Sequence, residues 1–88
     1  MKRSEKFMLQ NVGGVALLTP LGAQVMEMNG LVILNDTACC VWELLAEERT
    51  LDELTAIVVE RFAVEPVRAR ADVQTFLDEI APLGMVDG

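Results

Sequence analysis

The spacing of apolar residues changes once along this chain. Up to residue 34 they come in short runs broken by glycine and proline, and from residue 38 onward they recur every three or four positions. Phe7-Met8-Leu9-Gln10-Asn11-Val12 and Val15-Ala16-Leu17-Leu18-Thr19 flank Gly13-Gly14, a tight-turn signal, and so predict two strands of a hairpin. Pro20-Leu21-Gly22 breaks the run. Gln24-Val25-Met26-Glu27-Met28 and Leu31-Val32-Ile33-Leu34 then flank Asn29-Gly30, the dipeptide best suited to a two-residue hairpin turn. Leu31–Leu34 is the more strand-like flank. Met26 and Met28 lie two apart, so they would share one strand face and fill core.

Asn35, Asp36 and Thr37 are residue types that accept hydrogen bonds from the free N–H groups of a helix's first turn. After them Ala38, Val41, Trp42 and Leu45 recur at i, i+3, i+4, i+7, predicting a first helix from about Thr37 to Ala46 with one apolar face. Glu47-Glu48-Arg49 is a polar turn. Thr50-Leu51-Asp52-Glu53 reads as a capping box that opens a second helix, with Leu51, Leu54, Ile57, Val58 and Phe62 as its apolar set. A third helix starts with Pro66 in its first turn and carries Val73, Phe76, Leu77 and Ile80 on one face. Pro82 should end or kink it, Gly84 supplies a turn, and Met85-Val86 adds a short apolar tail. The expected fold class is α+β. A small N-terminal antiparallel sheet of three strands, or four if Gln24–Met28 pairs, precedes a winged-helix-like three-helix bundle.

Length and charge narrow the function. Eighty-eight residues suit one domain, residues 1–88. A net charge of −7, with no basic stripe on any helix, argues against nucleic acid and anionic membrane as partners. No apolar stretch is long enough to span a membrane. Met1-Lys2-Arg3-Ser4-Glu5-Lys6 is basic but no long apolar region follows, so a signal peptide is not expected and the cytoplasm is the expected compartment. The chain has no histidine and only the adjacent Cys39 and Cys40. Ordinary zinc sites and histidine-based catalysis are therefore not expected, nor is any metal, cofactor or catalytic residue. Neighbouring helical side chains point about 100° apart, so a Cys39–Cys40 bridge would be strained. The two cysteines read as small, partly buried apolar residues, with an acidic thiol at the helix start as the lesser alternative.

The string Leu34-Asn35-Asp36-Thr37-Ala38-Cys39-Cys40-Val41-Trp42-Glu43-Leu44-Leu45 also resembles the signature LN-x-T/S-x-x-x-x-W-x-L-L of the PqqD-like family, small peptide-binding proteins also called RiPP recognition elements. The resemblance runs over almost the whole chain. Gly14–Gly22 looks like the family's second strand and Pro-x-Gly bend. Leu31–Thr37 looks like its third strand and cap, and Thr50–Leu54 like the opening of its second helix. Ala71-Asp72-Val73-Gln74-Thr75-Phe76-Leu77-Asp78-Glu79-Ile80, followed by Gly84, looks like its "DV-x-x-FL-x-x-L" third helix. Pro82 departs from the pattern, as does the length of the Gln24–Met28 segment.

The resemblance implies a non-enzymatic adaptor. It would capture the leader segment of a ribosomally made precursor peptide by strand addition and present it to a modifying enzyme. A radical-SAM protein or another maturation enzyme would be that partner, in cofactor or peptide natural-product biosynthesis. Coenzyme PQQ synthesis is one setting among several. On that reading the peptide pairs with Leu31, Val32, Ile33 and Leu34 and lies against Arg70, Val73, Gln74 and Leu77 of the third helix. Val73 and Leu77 would receive apolar leader residues, and Arg70 an acidic one. An internal Val73 and Leu77, with only Arg70 and Gln74 accessible, is the structural alternative. So is coverage of the Leu31–Leu34 edge by Gln24–Met28. The protein would act as a monomer or a homodimer.

Two further classes are weaker. A winged-helix-type DNA-binding regulator needs a basic recognition helix, but Arg68 and Arg70 are set against Asp72, Asp78 and Glu79. A prosthetic-group carrier needs an attachment serine at a helix start, and Ser4, the only serine, lies in an N-terminal segment expected to be loose.

Overall fold

The computed structural model describes residues 1–21 and 32–87. Its elements are β1 (Lys2–Arg3), β2 (Phe7–Val12), β3 (Val15–Pro20), β4 (Val32–Leu34), α1 (Asp36–Leu44), α2 (Leu51–Phe62), α3 (Pro66–Ile80), a 3-10 turn (Ala81–Leu83) and β5 (Val86–Asp87). The expected α+β order holds. Leu31, Gln24–Met28 and Asn29-Gly30 lie outside the described residues.

Gly13 and Gly14 take left-handed backbone, with φ of 58° and 82°. That pair of dihedrals makes the type I′ turn, whose twist matches the flanking strands. Val12 therefore sits opposite Val15, and Phe7 opposite Pro20. β4 runs antiparallel to the other side of β3, pairing Leu18 with Val32 and Ala16 with Leu34. The sheet order is β2-β3-β4. Alternation sends Leu18 and Leu34 into the core, where both are buried, while Ile33 points outward.

α1 starts one residue earlier and ends two earlier than its periodicity predicts. Of the three candidates Asn35, Asp36 and Thr37, Asn35 is the cap: its side-chain oxygen accepts from the Ala38 N–H at 2.8 Å. Ala38, Val41, Trp42 and Leu45 are all buried. The capping box of α2 is present as expected, with Glu53 Oε1 accepting from the Thr50 N–H at 2.9 Å and Thr50 Oγ1 accepting from the Glu53 N–H at 3.2 Å. The Thr50 backbone N–H first, and its hydroxyl second, hold the Glu53 carboxyl below the ordinary glutamate range. A depressed value in the folded state means that this contribution is complete above the ordinary range and is lost as pH falls through the folded value. Glu53→Gln is therefore expected to flatten the acid side of the stability profile. Thermal melts from about pH 7 down to about pH 3 measure it. An unchanged acid slope would remove Glu53 from the box.

Pro66 sits at the start of α3, and Pro82 falls in the 3-10 turn that ends it. Gly84 closes that turn with φ 74°. The tail beyond is not a loose apolar end. Met85 is buried and β5 pairs with β1, Arg3 opposite Val86. The N-terminal segment is equally tied: Arg3 N–H donates to the Leu45 carbonyl and Ser4 N–H to the Met85 carbonyl, each at 2.8 Å. Ser4 is buried. The expectation of a loose N-terminus is thus overturned. A two-residue strand has no period to read, and its partner lies at the other end of the chain.

One core joins these pieces. Leu18 and Leu34 from the sheet meet Val41, Trp42 and Leu45 of α1 and its end, Leu54 and Val58 of α2, and the Ala69–Ile80 stripe of α3.

Candidate functional site

β4 is three apolar residues with no charge. Among the described residues it is hydrogen-bonded only to β3, so its outer edge has no strand partner. Such an edge presents unsatisfied N–H and C=O groups and is a template for another chain. Leu34 is 5% exposed and holds the strand on the core, whereas Ile33 is 70% exposed on the outer face of the sheet.

A groove of about 660 Å³ starts at this strand. The β4 strand at Ile33 and the first turn of α1, Asn35 to Ala38, form one wall. Arg68, Asp72, Thr75 and Glu79 of α3 form the other, and Phe62 and Val64 close one end. Ala38, Val41 and Phe76, all in the core, reach its floor. The α3 wall is a single helical stripe at i, i+4, i+7 and i+11. Its length is about 16 Å at 1.5 Å per residue, which matches about five residues of extended chain.

The structure redraws the helical half of the expected site. Val73 is fully buried and Leu77 4% exposed, both in the hydrophobic core rather than open to a ligand. Arg70 and Gln74 are exposed, but on the far flank of that core stripe. Arg70 Nη1 donates to Asp52 Oδ1 of α2 at 2.5 Å, and Gln74 Nε2 to Asp78 Oδ1 at 2.9 Å. At about 100° per residue, the core stripe separates Arg70 and Gln74 from Arg68, Asp72, Thr75 and Glu79. Of the two arrangements the residues left open, this is the internal one: Val73 and Leu77 are core, and of the four only Arg70 and Gln74 are accessible. A helical wheel shows both flanks and carries no sign of which one faces the sheet. Among the described residues, Val32, Ile33 and Leu34 have no strand partner beyond β3.

Charges on the groove wall are three carboxylates, Asp36, Asp72 and Glu79, and one guanidinium, Arg68, whose Nε lies 3.9 Å from Asp72 Oδ2. Cys40 is buried, with Arg61 Nη1 at 3.4 Å from its sulfur. Burial chiefly, then the carboxylates of Asp36 and Glu43, push the Cys39 thiol above its ordinary value, opposite to the acidic-thiol alternative. Among the described residues no three His, Cys, Asp or Glu side chains cluster to hold a metal, and no helix is long and apolar enough to cross a membrane.

Fold and site together define a class: small α+β proteins in which a three-stranded antiparallel sheet lies beside three helices. Within it this chain belongs to the PqqD family, for residues 7–86 match the family model of coenzyme PQQ synthesis protein D. Two solved structures share the fold. TbiB1 in complex with the TbiA(beta) leader peptide is 18% identical, with a TM-score of 0.74 over 100% of this chain and 96% of that one. A lasso peptide synthetase B1 complexed with the leader peptide is 16% identical, with a TM-score of 0.73 over 99% of this chain and 96% of that one. No curated protein matches the chain.

Proposed function

We propose that this chain is a leader-peptide adaptor in the biosynthesis of a ribosomally made, modified peptide. A leader segment adds as a strand to the outer edge of β4 and lies over the groove. The chain then presents it to a maturation enzyme, of the radical-SAM type or another, and carries out no chemistry itself. The observation that carries this reading is the uncharged edge of Val32–Leu34, which has no strand partner beyond β3 among the described residues, beside a groove lined by α1 and α3. Membership of the PqqD family supports it, as do leader-peptide complexes among proteins of the same fold. Strand addition divides the work physically. Main-chain hydrogen bonds supply affinity whatever the sequence, and alternate side chains supply specificity.

The DNA-binding alternative has the wrong electrostatics. Arg68 and Arg70, the basic residues of α3, face Asp72 and Asp52. A helix neutralised in this way has little left for phosphate.

The test is an NMR titration with the precursor leader encoded beside the gene. Amide shifts are expected in Val32–Leu34, in the first turn of α1 and along Arg68, Asp72, Thr75 and Glu79. Shifts confined to the β2–β3 turn or to the Arg70 flank would defeat the placement.

A further inference from the structure

We infer that the groove selects a basic side chain on the groove-facing side of the bound strand, next in sequence to an apolar residue that packs beside Ile33. The inference rests on strand addition to β4 and adds the chemistry of the segment that binds there.

The outer-face rule comes from the register. Gln10 lies opposite Leu17, and Leu17 opposite Ile33, so these three form a cross-strand row. Ile33 ends that row at 70% exposure. An added strand supplies the next position in the row, and an apolar side chain there covers Ile33. Adjacent residues of a strand point to opposite faces, so the residue before or after that one faces the groove.

The groove-side rule comes from charge. Three carboxylates against one guanidinium leave the wall at −2. Arg68 offsets Asp72 at 3.9 Å, and among the described residues neither Asp36 nor Glu79 has an ion-pair partner. Asp36 lies in the first turn of α1, where the positive end of the helix dipole already offsets part of its charge. Glu79 therefore carries the larger share. A lysine or arginine fits this arrangement as few other side chains do. Its stem can lie against Phe62 and Val64, the half-buried apolar residues of the lining, while its head reaches the carboxylates at the rim. The chain's net charge of −7 adds a field of the same sign.

A display library of random peptides about twelve residues long, enough to pair with β4 and run along the groove, tests this when panned on the intact protein. Enrichment of Lys or Arg immediately beside an apolar position is expected. The selected peptide, measured by fluorescence anisotropy, should weaken about threefold for each of Glu79→Gln and Asp36→Asn, and lose most of its salt dependence in the double variant. Arg68→Ala, which unmasks Asp72, should tighten binding. Peptides enriched in acidic or neutral residues on the groove side would overturn the inference and leave leader binding standing, as would weaker binding to Arg68→Ala. Retention of no peptide, or of peptides that leave the amides of β4 unshifted, would overturn strand addition itself and this inference with it.

Discussion

Trp42→Ala is expected to leave the protein unfolded or barely folded. The indole is 1% exposed, in the core where the three helices meet the sheet. Truncating a buried tryptophan costs about 3–5 kcal/mol, in lost transfer energy and in the cavity left behind. A chain of this size has about 4–13 kcal/mol in total. The ring also has a second neighbour. The Arg3 guanidinium lies 5.6 Å from the ring centroid, and Arg3 Nη1 donates to the Trp42 carbonyl at 3.2 Å. Removing the ring therefore loosens β1 along with the helices. A fall in melting temperature of about 15–30 °C follows from the usual conversion for small domains. Circular-dichroism melts measure it. A variant that melts within about 5 °C of the parent would mean that the indole contributes surface, not core.

Proline substitutions in β4 are expected to separate peptide binding from folding. In an antiparallel pair, successive residues turn their N–H and C=O groups alternately toward the partner strand and away from it. Either Ile33 offers its groups to the open edge, or Val32 and Leu34 do. Proline has no N–H to offer. At the outward position it removes a donor that an added strand requires, and leaves the β3–β4 ladder intact. At the inward position it breaks a bond of that ladder and destabilises the sheet. Val32→Pro and Ile33→Pro should therefore behave oppositely. One loses leader affinity by about tenfold or more while melting near the parent; the other melts lower. Calorimetry with the leader peptide, beside thermal melts, reads both. Two folded variants that both bind as tightly as the parent would show that the peptide does not use this edge.

Much of this architecture is local and was legible in the residues. Gly13-Gly14 requires positive φ at both positions, and few other dipeptides supply it, so the hairpin follows. Thr50 and Glu53 cap α2 through contacts three residues apart. The Val73, Phe76, Leu77 and Ile80 period marks the inner face of α3. The PqqD-like signature is a string of such local features, and the family it points to is the family to which the chain belongs.

What the sequence left undecided depends on pairs of residues far apart along the chain. β1 and β5 are two residues each, too short for any period, and they meet through long-range backbone bonds such as Ser4 N–H to the Met85 carbonyl, with Met85 itself buried. Of Asn35, Asp36 and Thr37, it is Asn35 that caps α1, because the chain leaves β4 at Leu34 with Asn35 extended, φ −80° and ψ −179°. The helical wall of the candidate groove is the clearest case. A sequence shows that α3 has an apolar stripe with a polar flank on either side. It cannot show which flank turns toward β4, since that depends on how α3 rolls against α1 and α2. The roll seats Val73 and Leu77 in the core, pairs Arg70 with Asp52, and brings Arg68, Asp72, Thr75 and Glu79 to the groove. Local periodicity thus determined the elements and their inner faces, and tertiary packing decided which outer face stands beside the open strand, because that choice is made by contacts between elements and not within them.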